Sequence, residues 1–347
     1  MRRPSKRILF FATILIALVG ILLPGSRSGE TRAQSAAPQA QKSTSPAPQA
    51  PQKKDDEYRI LRDVNLVVLH ATVIDDRGRF VSDLKQESFR VFEDKVEQKL
   101  SVFKREDIPI SVGLVVDNSG SMRDKREKVN LAALAFVEAS NREDEAFVVN
   151  FNDDYYLDLD KDFTNDINEL KEALERIDSR GSTALYDAIV GSLDHLKKGS
   201  RDKKVLLVVS DGEDNSSRIG HGNKRQALEL TVLEAQKSEA VIYAIGLLGQ
   251  EKGSDARKSR DALTRMAVAT GGLAFFPEGL GDVGSICTQI AHDIRNQYTL
   301  AYYPTNTKKD GTFRSVNVDL QSVRGRGKMS VRTRTGYFAQ KESAGGN

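Results

Sequence analysis

The sequence is poor in the residues that cross-link a chain or bind soft metals. It has one cysteine, Cys287, and no tryptophan among 347 residues. A single cysteine excludes an intrachain disulfide and every zinc or iron–sulfur site built from several cysteines. The sequence also lacks Gly-x-Ser-x-Gly, His-Glu-x-x-His and Gly-x-x-x-x-Gly-Lys patterns. The local motifs of a serine hydrolase, a zinc protease and a phosphate-cradling loop are therefore absent.

An excess of positive charge occurs only at the N-terminal end. Residues 1–54 hold nine Lys and Arg and one acidic residue, which gives a net charge of +8. Residues 55–347 hold 43 Lys and Arg against 48 Asp and Glu, a net charge of −5. Because nucleic-acid binding needs a concentrated basic face, we expect no nucleic-acid partner.

The first 33 residues have the pattern of an export signal. Four basic residues precede an apolar run over residues 8–23, and Thr31-Arg32-Ala33 is compatible with cleavage. This pattern predicts either a cleaved signal or a retained signal anchor over residues 1–33. We therefore expect an extracytoplasmic protein, periplasmic or secreted. If the segment is retained, residues 8–23 tether the protein to the inner membrane.

A spacer and two β-rich segments frame the body of the chain. Residues 34–57 are rich in Pro, Ala and Gln and predict a linker. Residues 58–107 and 296–339 contain short strand-like runs, with Glu93-Asp94-Lys95 as a turn between the runs at 89–92 and 100–103. Neither segment can cover its own apolar face. We expect the two to pair into one small antiparallel β-sandwich, followed by a disordered tail at 340–347.

Between these segments, residues 108–295 alternate buried strands with amphipathic helices. The run 110–116 is uninterrupted β, and the helix after it has apolar residues at i, i+3, i+4, i+7 and i+8 from Val129. Further strands are predicted at 146–151, 205–209, 241–248 and 273–276. Such alternation predicts an α/β domain whose mostly parallel sheet is covered by helices on both faces. Cys287 falls on the apolar stripe of the last helix, which favours core packing over reactivity.

Three loops at the ends of predicted strands or the starts of helices carry oxygen donors. Asp117-Asn118-Ser119-Gly120-Ser121 follows the strand at 110–116, Thr183 precedes a helix, and Asp211 follows the strand at 205–209. Open α/β sheets bind ligands at the carboxyl ends of their strands, so we expect the three loops to converge there.

The chemistry of these donors selects a hard cation. The candidate ligands are the hydroxyls of Ser119, Ser121 and Thr183 and the carboxylates of Asp117 and Asp211. An all-oxygen set without His or Cys favours Mg²⁺ or Mn²⁺ over zinc. If the hydroxyls bind directly and the carboxylates hold waters, the cation stays electrophilic. An Asp or Glu of a protein partner is then the natural ligand for its open position.

These loops resemble the metal-ion-dependent adhesion site of the von Willebrand factor type A (VWA) domain, over about residues 108–295. The body with its β segments, ending in Arg334-Thr-Gly-Tyr-Phe-Ala339, is similar to the bacterial VWFA-related domain family. The resemblance implies a Rossmann-like, non-enzymatic binding domain with an adhesion or scaffold role. It also implies that Asp117 and Asp211 act through waters and that the three hydroxyls are direct ligands.

Several alternatives remain open at the level of sequence. The β-sandwich could build larger assemblies, with the metal site only regulating them. Asp117 and Ser119 could merely cap a helix, and Asp211 could merely close a strand. The chain could be an extracytoplasmic hydrolase that uses the same metal or Ser119. A separate group of acidic residues has the spacing of a calcium loop: Asp158, Asp160, Asp162, Asp166 and Glu169. The sixth position of this loop, where the turn needs Gly, is Phe163.

Overall fold

The computed structural model describes residues 66–105, 107–176, 179–248, 253–323 and 325–341. The predicted signal segment at 1–33 and the predicted linker at 34–57 lie outside these ranges, as do residues 342–347 of the predicted tail. Within these ranges, no helix has both the length and the apolar character needed to cross a membrane. The domain limits set from the sequence therefore stay predictions.

Strands and α-helices alternate through the middle of the described chain, and its two ends contain strands with one short 3₁₀ turn at Gln86–Ser88. The strands are β1 (Val67–Asp75), β2 (Phe89–Glu93), β3 (Val96–Gln98), β4 (Leu100–Lys104), β5 (Ile110–Asp117), β6 (Glu145–Phe151), β7 (Tyr155–Leu157), β8 (Lys203–Ser210), β9 (Val241–Gly246), β10 (Ala274–Phe275), β11 (Tyr298–Tyr302), β12 (Phe313–Leu320), β13 (Met329–Arg332) and β14 (Gly336–Phe338). The helices are α1 (Arg126–Glu138), α2 (Ile167–Glu175), α3 (Leu185–Leu196), α4 (Lys224–Lys237), α5 (Ser254–Thr270) and α6 (Val283–Arg295).

A six-stranded sheet forms the centre of the molecule, in the order β10-β9-β8-β5-β6-β7. Five of its strands are parallel, and only β7 runs antiparallel, against β6. The central strand β5 pairs with β6 on one side and β8 on the other. The strand order therefore reverses at β5, and this is where a sheet of this type opens a crevice for a ligand.

Helices cover both faces of this sheet, as β-strand geometry requires. Alternate residues of β5 point to opposite faces, so that Leu114 packs with α1, α2 and α6 while Val115 packs with α3, α4 and α5. Cys287 is fully buried on α6, in agreement with its place on the apolar stripe. Burial raises the pKa of its thiol to about 12, so it is not a reactive thiolate.

The chain segments before and after the central domain form two antiparallel four-stranded sheets. Their orders are β13-β1-β11-β4 and β14-β12-β2-β3, and each sheet contains strands from both ends of the body. Apolar residues of both sheets, such as Leu69, Val91, Leu300 and Val318, form one shared core. This arrangement, together with the covered parallel sheet, confirms the predicted fold class.

The predicted turn at Glu93-Asp94-Lys95 is wrong in detail. Glu93 is the last residue of β2, and the turn is the pair Asp94-Lys95, whose φ angles are +46° and +69°. Two consecutive left-handed residues are typical of a type I′ hairpin turn, which connects β2 to the unpredicted strand β3. The strand at Leu100–Lys104 belongs to the other sheet, where it pairs with β11.

The sequence reading also missed β7 and the helices α4 and α5. The buried positions of α4 are Ala227, Leu228, Thr231 and Ala235, and α5 likewise buries mostly Ala and Ser. Small residues give a weak apolar periodicity although they pack closely against the sheet. Strand β7 has only three residues, too few to establish an alternation.

A buried polar cluster joins the sandwich to the central domain. Asp293, near the end of α6, accepts hydrogen bonds from the Thr72 hydroxyl at 2.7 Å and the Tyr243 hydroxyl at 3.0 Å. It also pairs with the Arg332 guanidinium of β13. Asp293 is 2% exposed and has donors from both the sandwich and the central domain, so it fixes two strands of the sandwich, β1 and β13, against the domain.

Gly113 allows tight packing at the middle of the central sheet. A Cβ atom at this position would lie 2.5 Å from Phe147 Cζ and 2.6 Å from Leu206 Cδ2, on the two neighbouring strands. We expect Gly113→Ala to lower the free energy of unfolding by about 1–3 kcal/mol through overpacking, measured by urea denaturation. Gly284→Ala is the control because no atom lies within 4 Å of its added Cβ. Equal stability of the two variants would contradict this account of the sheet.

Candidate functional site

The candidate site lies at the carboxyl ends of β5 and β8. Strand β5 ends at Asp117, and β8 ends at Ser210, next to Asp211. Thr183 stands two residues before α3, in a loop that reaches the same edge. Because β5 and β8 are adjacent and parallel, the loops that follow them start side by side.

Asp117 is held rigidly by two hydrogen bonds. Its Oδ1 accepts the Ser119 N–H at 2.8 Å, and its Oδ2 accepts the Ser210 hydroxyl at 2.6 Å. The residue is 1% exposed. Burial, and next the negative charge of Asp211, raise the pKa of Asp117 to about 6. Two carboxylates that repel each other, one buried and one half-buried, make a suitable environment for a cation.

A row of hydroxyls leads from the first loop to the third. Ser119 Oγ and Ser121 Oγ lie 3.1 Å apart, and the Ser121 hydroxyl donates to Asp211 Oδ2 at 2.5 Å. Asp211 Oδ1 is buried and has no hydrogen-bond partner in the described part of the chain. Four of the five residues predicted for the site thus form one connected cluster, which ends on an unsatisfied carboxylate oxygen.

Main-chain hydrogen bonds tie the Thr183 loop to the first loop. The Gly120 N–H donates to the Gly181 carbonyl at 3.2 Å, and the Arg180 N–H donates to the Asn118 carbonyl at 3.0 Å. Gly181 has a φ of +74°, and a Cβ there would lie 2.1 Å from Asp153 Oδ2, so only glycine fits. This junction holds the Thr183 loop against the Asp-x-Ser-x-Ser loop.

Thr183 is also tied to the third loop. Its N–H donates to Asn215 Oδ1 at 2.8 Å, and its carbonyl accepts the N–H groups of Asn215 and Ser216. Thr183 is 3% exposed, and no hydrogen bond within the described residues engages its hydroxyl. The three predicted loops are therefore directly connected to one another.

Neither Asp117 nor Ser119 caps the helix that follows. Helix α1 begins at Arg126, and its N-cap position is Lys125, without a side-chain capping bond. Ser119 precedes only a single 3₁₀ turn at Gly120–Met122, again without a side-chain cap. The capping alternative is wrong for α1, so the burial of these polar side chains needs another cause.

Sequence reasoning missed the residues that support the cluster. The Ser210 hydroxyl makes two hydrogen bonds: it donates to Asp117 and accepts the Gly212 N–H at 2.9 Å. Asp214 accepts the Tyr186 N–H at 3.0 Å and the Ser217 hydroxyl, so the third loop caps the start of α3. No local pattern marks such a cap, because its donor and acceptor are 28 residues apart.

The acidic residues of the calcium-loop spacing do not form a metal site. No group of three or more His, Cys, Asp and Glu side chains able to hold a metal occurs among the described residues. Asp162 instead pairs with Lys198 at 2.8 Å, and Glu169 pairs with Lys161 at 2.7 Å. These carboxylates already have cationic partners. The cluster at Asp117 differs because hydroxyls supply three of its five candidate ligands.

The donor chemistry of the Asp117 cluster fits a small hard divalent cation. All five side chains offer oxygen, and one carboxylate oxygen, Asp211 Oδ1, is buried without a donor. A buried polar atom without a partner costs free energy unless water or an ion satisfies it. Mg²⁺ and Mn²⁺ accept hydroxyl, carboxylate and water oxygens together.

Comparison with known proteins identifies the domain class. A family model described as the von Willebrand factor type A domain matches residues 112–213, a range that contains all five candidate residues. The chain thus carries a VWA domain, which is a general protein-interaction and adhesion module. An uncharacterized protein of Synechocystis sp. is 24% identical over 141 residues, which span 40% of this chain and 32% of that relative. The match thus covers about a third of the relative's length.

Several solved structures are similar at low identity. The VWA domain of the type V pili tip protein Mfa5 from Porphyromonas gingivalis is 14% identical, with a TM-score of 0.43 over 54% of this chain and 95% of that chain. A von Willebrand factor type A protein from Catenulispora acidiphila is 13% identical, with a TM-score of 0.44 over 73% and 75%. The PilB minor pilin from Streptococcus sanguinis is 13% identical, with a TM-score of 0.43 over 56% and 63%. The domain assignment rests on the family model and the sheet topology.

Proposed function

We propose that this chain binds a protein partner through a divalent cation, Mg²⁺ or Mn²⁺. Asp117, Ser119, Ser121, Thr183 and Asp211 would hold the cation. The observation that carries the proposal is the hydrogen-bonded cluster of the three loops, which ends on the buried, unpartnered Asp211 Oδ1. A cation at this point would satisfy that oxygen and offset the repulsion between the two carboxylates.

The hydroxyl and carboxylate side chains would have different roles at such a site. The hydroxyls of Ser119, Ser121 and Thr183 are neutral ligands, so they leave most of the charge of the cation uncompensated. Asp117 is fixed by Ser119 N–H and Ser210, so it can hold a water in one orientation. The bound cation supplies a Lewis-acid position for an outside oxygen. An Asp or Glu carboxylate of the partner is the ligand that best matches this position.

The proposed role is binding, as an adhesion or scaffold module, rather than catalysis. A hydrolase that used Ser119 would need a base beside its hydroxyl. In the described residues, Ser119 Oγ contacts Ser121 Oγ, and no histidine is hydrogen-bonded to either. No observation favours the hydrolase hypothesis, so we propose a non-enzymatic function.

The proposed location is outside the cytoplasm, either periplasmic or secreted. It is supported by the basic residues before the apolar run at 8–23 and by the Pro- and Ala-rich stretch at 34–57. A retained apolar run would tether the binding domain to the inner membrane, with the linker as a spacer. Acidic groups of other extracytoplasmic proteins are then the accessible partners.

Metal-dependent capture tests the proposal. The full chain is immobilised and exposed to an extracytoplasmic protein fraction in Mg²⁺ or in EDTA. We expect partner capture in Mg²⁺ that EDTA abolishes. Replacing the acidic residues of the captured partner one at a time by Asn or Gln should identify one carboxylate whose loss removes binding. Capture that persists in EDTA would overturn the proposed function.

A further inference from the structure

One edge of β1 lacks a neighbouring strand over half of its length. Residues Val67–Ala71 pair with β11 on one side, but β13 pairs only with Thr72–Asp75 on the other. No strand of the described chain lies on the second side of Val67–Ala71. Alternate residues of an antiparallel strand direct both N–H and C=O to the same edge, so this edge offers main-chain hydrogen-bonding groups.

Hydrogen bonds hold the chain segment after β13 away from this edge. After β13 it crosses at 333–335 to the other sheet, where β14 pairs with β12. Arg334 fixes the crossing, because its Nε donates to the Gly336 carbonyl at 2.9 Å and its Nη2 to the Gln236 carbonyl at 2.7 Å. The absence of a neighbouring strand beside this part of β1 therefore results from a fixed crossing of the chain and not from a frayed strand end.

A cavity of about 530 Å³ lies beside this edge. One wall is formed by residues 66–68 at the start of β1, and another by residues 337–340 of β14 and its continuation. The loop at 303–309, the end of α4 with Glu239, and the residues Arg314 and Arg334 form the rest of the lining. We call this cavity with the edge of β1 the β1 slot. Its volume is within the range of about 300–1,000 Å³ that is typical of binding pockets.

The lining of the β1 slot is rich in positive charge. Five of its residues are basic, and Glu239 is its one acidic residue. Lys308 and Lys309 are exposed, and neither has an ion pair in the described part of the chain. The Arg314 side chain is only 3% exposed, and its Nε is buried without a hydrogen-bond partner among the described residues. Lys237 already pairs with Glu234, and Arg314 with Glu93, so Lys308 and Lys309 are the charges that complement an acidic ligand.

We propose that the β1 slot binds an acidic segment of a partner protein, in extended conformation, as an added strand on β1. The main chain of the segment would pair with β1 from Val67 and Val68, the residues of this edge that line the cavity, as in other cases of strand addition. Its acidic side chains would meet Lys308 and Lys309. This site is separate from the Asp117 cluster and does not depend on a cation.

Synthetic peptides test the two components of the proposal, charge and strand addition. The probe is a short fluorescent peptide in which Glu alternates with Thr, titrated with the full chain in EDTA and followed by fluorescence anisotropy. We expect it to bind, whereas a Lys–Thr peptide should not. The same acidic peptide with N-methylated alternate amides should also fail to bind, because it keeps the charge but cannot pair as a strand. Equal binding of the methylated peptide would overturn the proposal.

Charge-reversal variants and hydrogen exchange locate the site. We expect Lys308→Glu with Lys309→Glu to weaken binding of the acidic peptide at least about tenfold. The control is Lys99→Glu with Lys328→Glu, two exposed residues outside the slot with the same change in net charge. The bound peptide should slow amide exchange within residues 67–71. Protection confined to another exposed edge, such as β3 or β7, would overturn the proposal. Because the assay contains EDTA, its outcome is independent of the proposed metal site.

Discussion

Replacing Asp117 by alanine is expected to weaken the binding of Mg²⁺ and Mn²⁺ strongly. The carboxylate is 1% exposed and is held by the Ser119 N–H and the Ser210 hydroxyl, so no neighbouring side chain can take its place. Loss of a fixed outer ligand of this kind weakens metal binding by about 10–100-fold. Isothermal titration of the full chain with each cation, wild type against Asp117→Ala, measures the effect.

A matched control separates this effect from a general loss of charge. Asp124 is an exposed carboxylate seven residues farther along the chain, and it has no hydrogen bond or ion pair within the described residues. Asp124→Ala should bind the cation as the wild type does. Metal at 100 times the wild-type Kd should stabilise the wild type by about 2.7 kcal/mol, and Asp117→Ala, whose binding is weaker by about 10–100-fold, by only about 0.4–1.4 kcal/mol. Equal titration curves for Asp117→Ala and the wild type would disprove the metal assignment.

Replacing Glu93 by alanine is expected to destabilise the β-sandwich strongly. Glu93 is 2% exposed, and it accepts hydrogen bonds from the hydroxyls of Tyr302 at 2.9 Å and Tyr337 at 2.8 Å. It also pairs with the buried Arg314 guanidinium at 3.3 Å. Its removal leaves a buried cation without a carboxylate, at a cost of about 3–5 kcal/mol. Urea denaturation followed by circular dichroism measures the change in free energy of unfolding.

The β2–β3 hairpin that contains Glu93 also contains an exposed Glu–Arg ion pair, which serves as the control. Glu97 on β3 pairs with Arg90 on β2 at 2.6 Å, and both side chains are about half exposed. Because exposed ion pairs contribute about 0–1 kcal/mol, Glu97→Ala should have a small effect. The double variant Glu93→Leu with Arg314→Met should recover much of the loss, since it leaves neither buried charge alone. Similar stabilities of Glu93→Ala and Glu97→Ala would contradict this role for Glu93.

Burial explains why these two pairs, alike in composition, are expected to differ. At Glu93 water is excluded, so every hydrogen bond to the carboxylate must come from the protein, and two strands from the far end of the chain provide them. At Glu97 water can replace Arg90 at little cost. The sequence shows two Glu residues four positions apart and gives no sign of this difference.

The sequence by itself determined the helices and strands whose buried face leaves a pattern among residues close together in the chain. Apolar runs and helical periodicity located β5, β6, β8 and the helices α1, α3 and α6, because burial of a face leaves a repeat in the local pattern. The position of Asp117, Thr183 and Asp211 at strand ends and helix starts was sufficient to expect their loops at one edge of the sheet.

The tertiary structure alone decided which distant groups meet. Only the parallel pairing of β5 with β8 brings the Ser210 hydroxyl to Asp117, and only the fold brings Asp214 to the start of α3. It also directs the chain after β13 away from β1 to the other sheet, and so opens the β1 slot. Local patterns record which face of an element is buried. They do not record partners that are tens or hundreds of residues apart, because hydrogen bonds and ion pairs between such residues leave no repeat in the sequence.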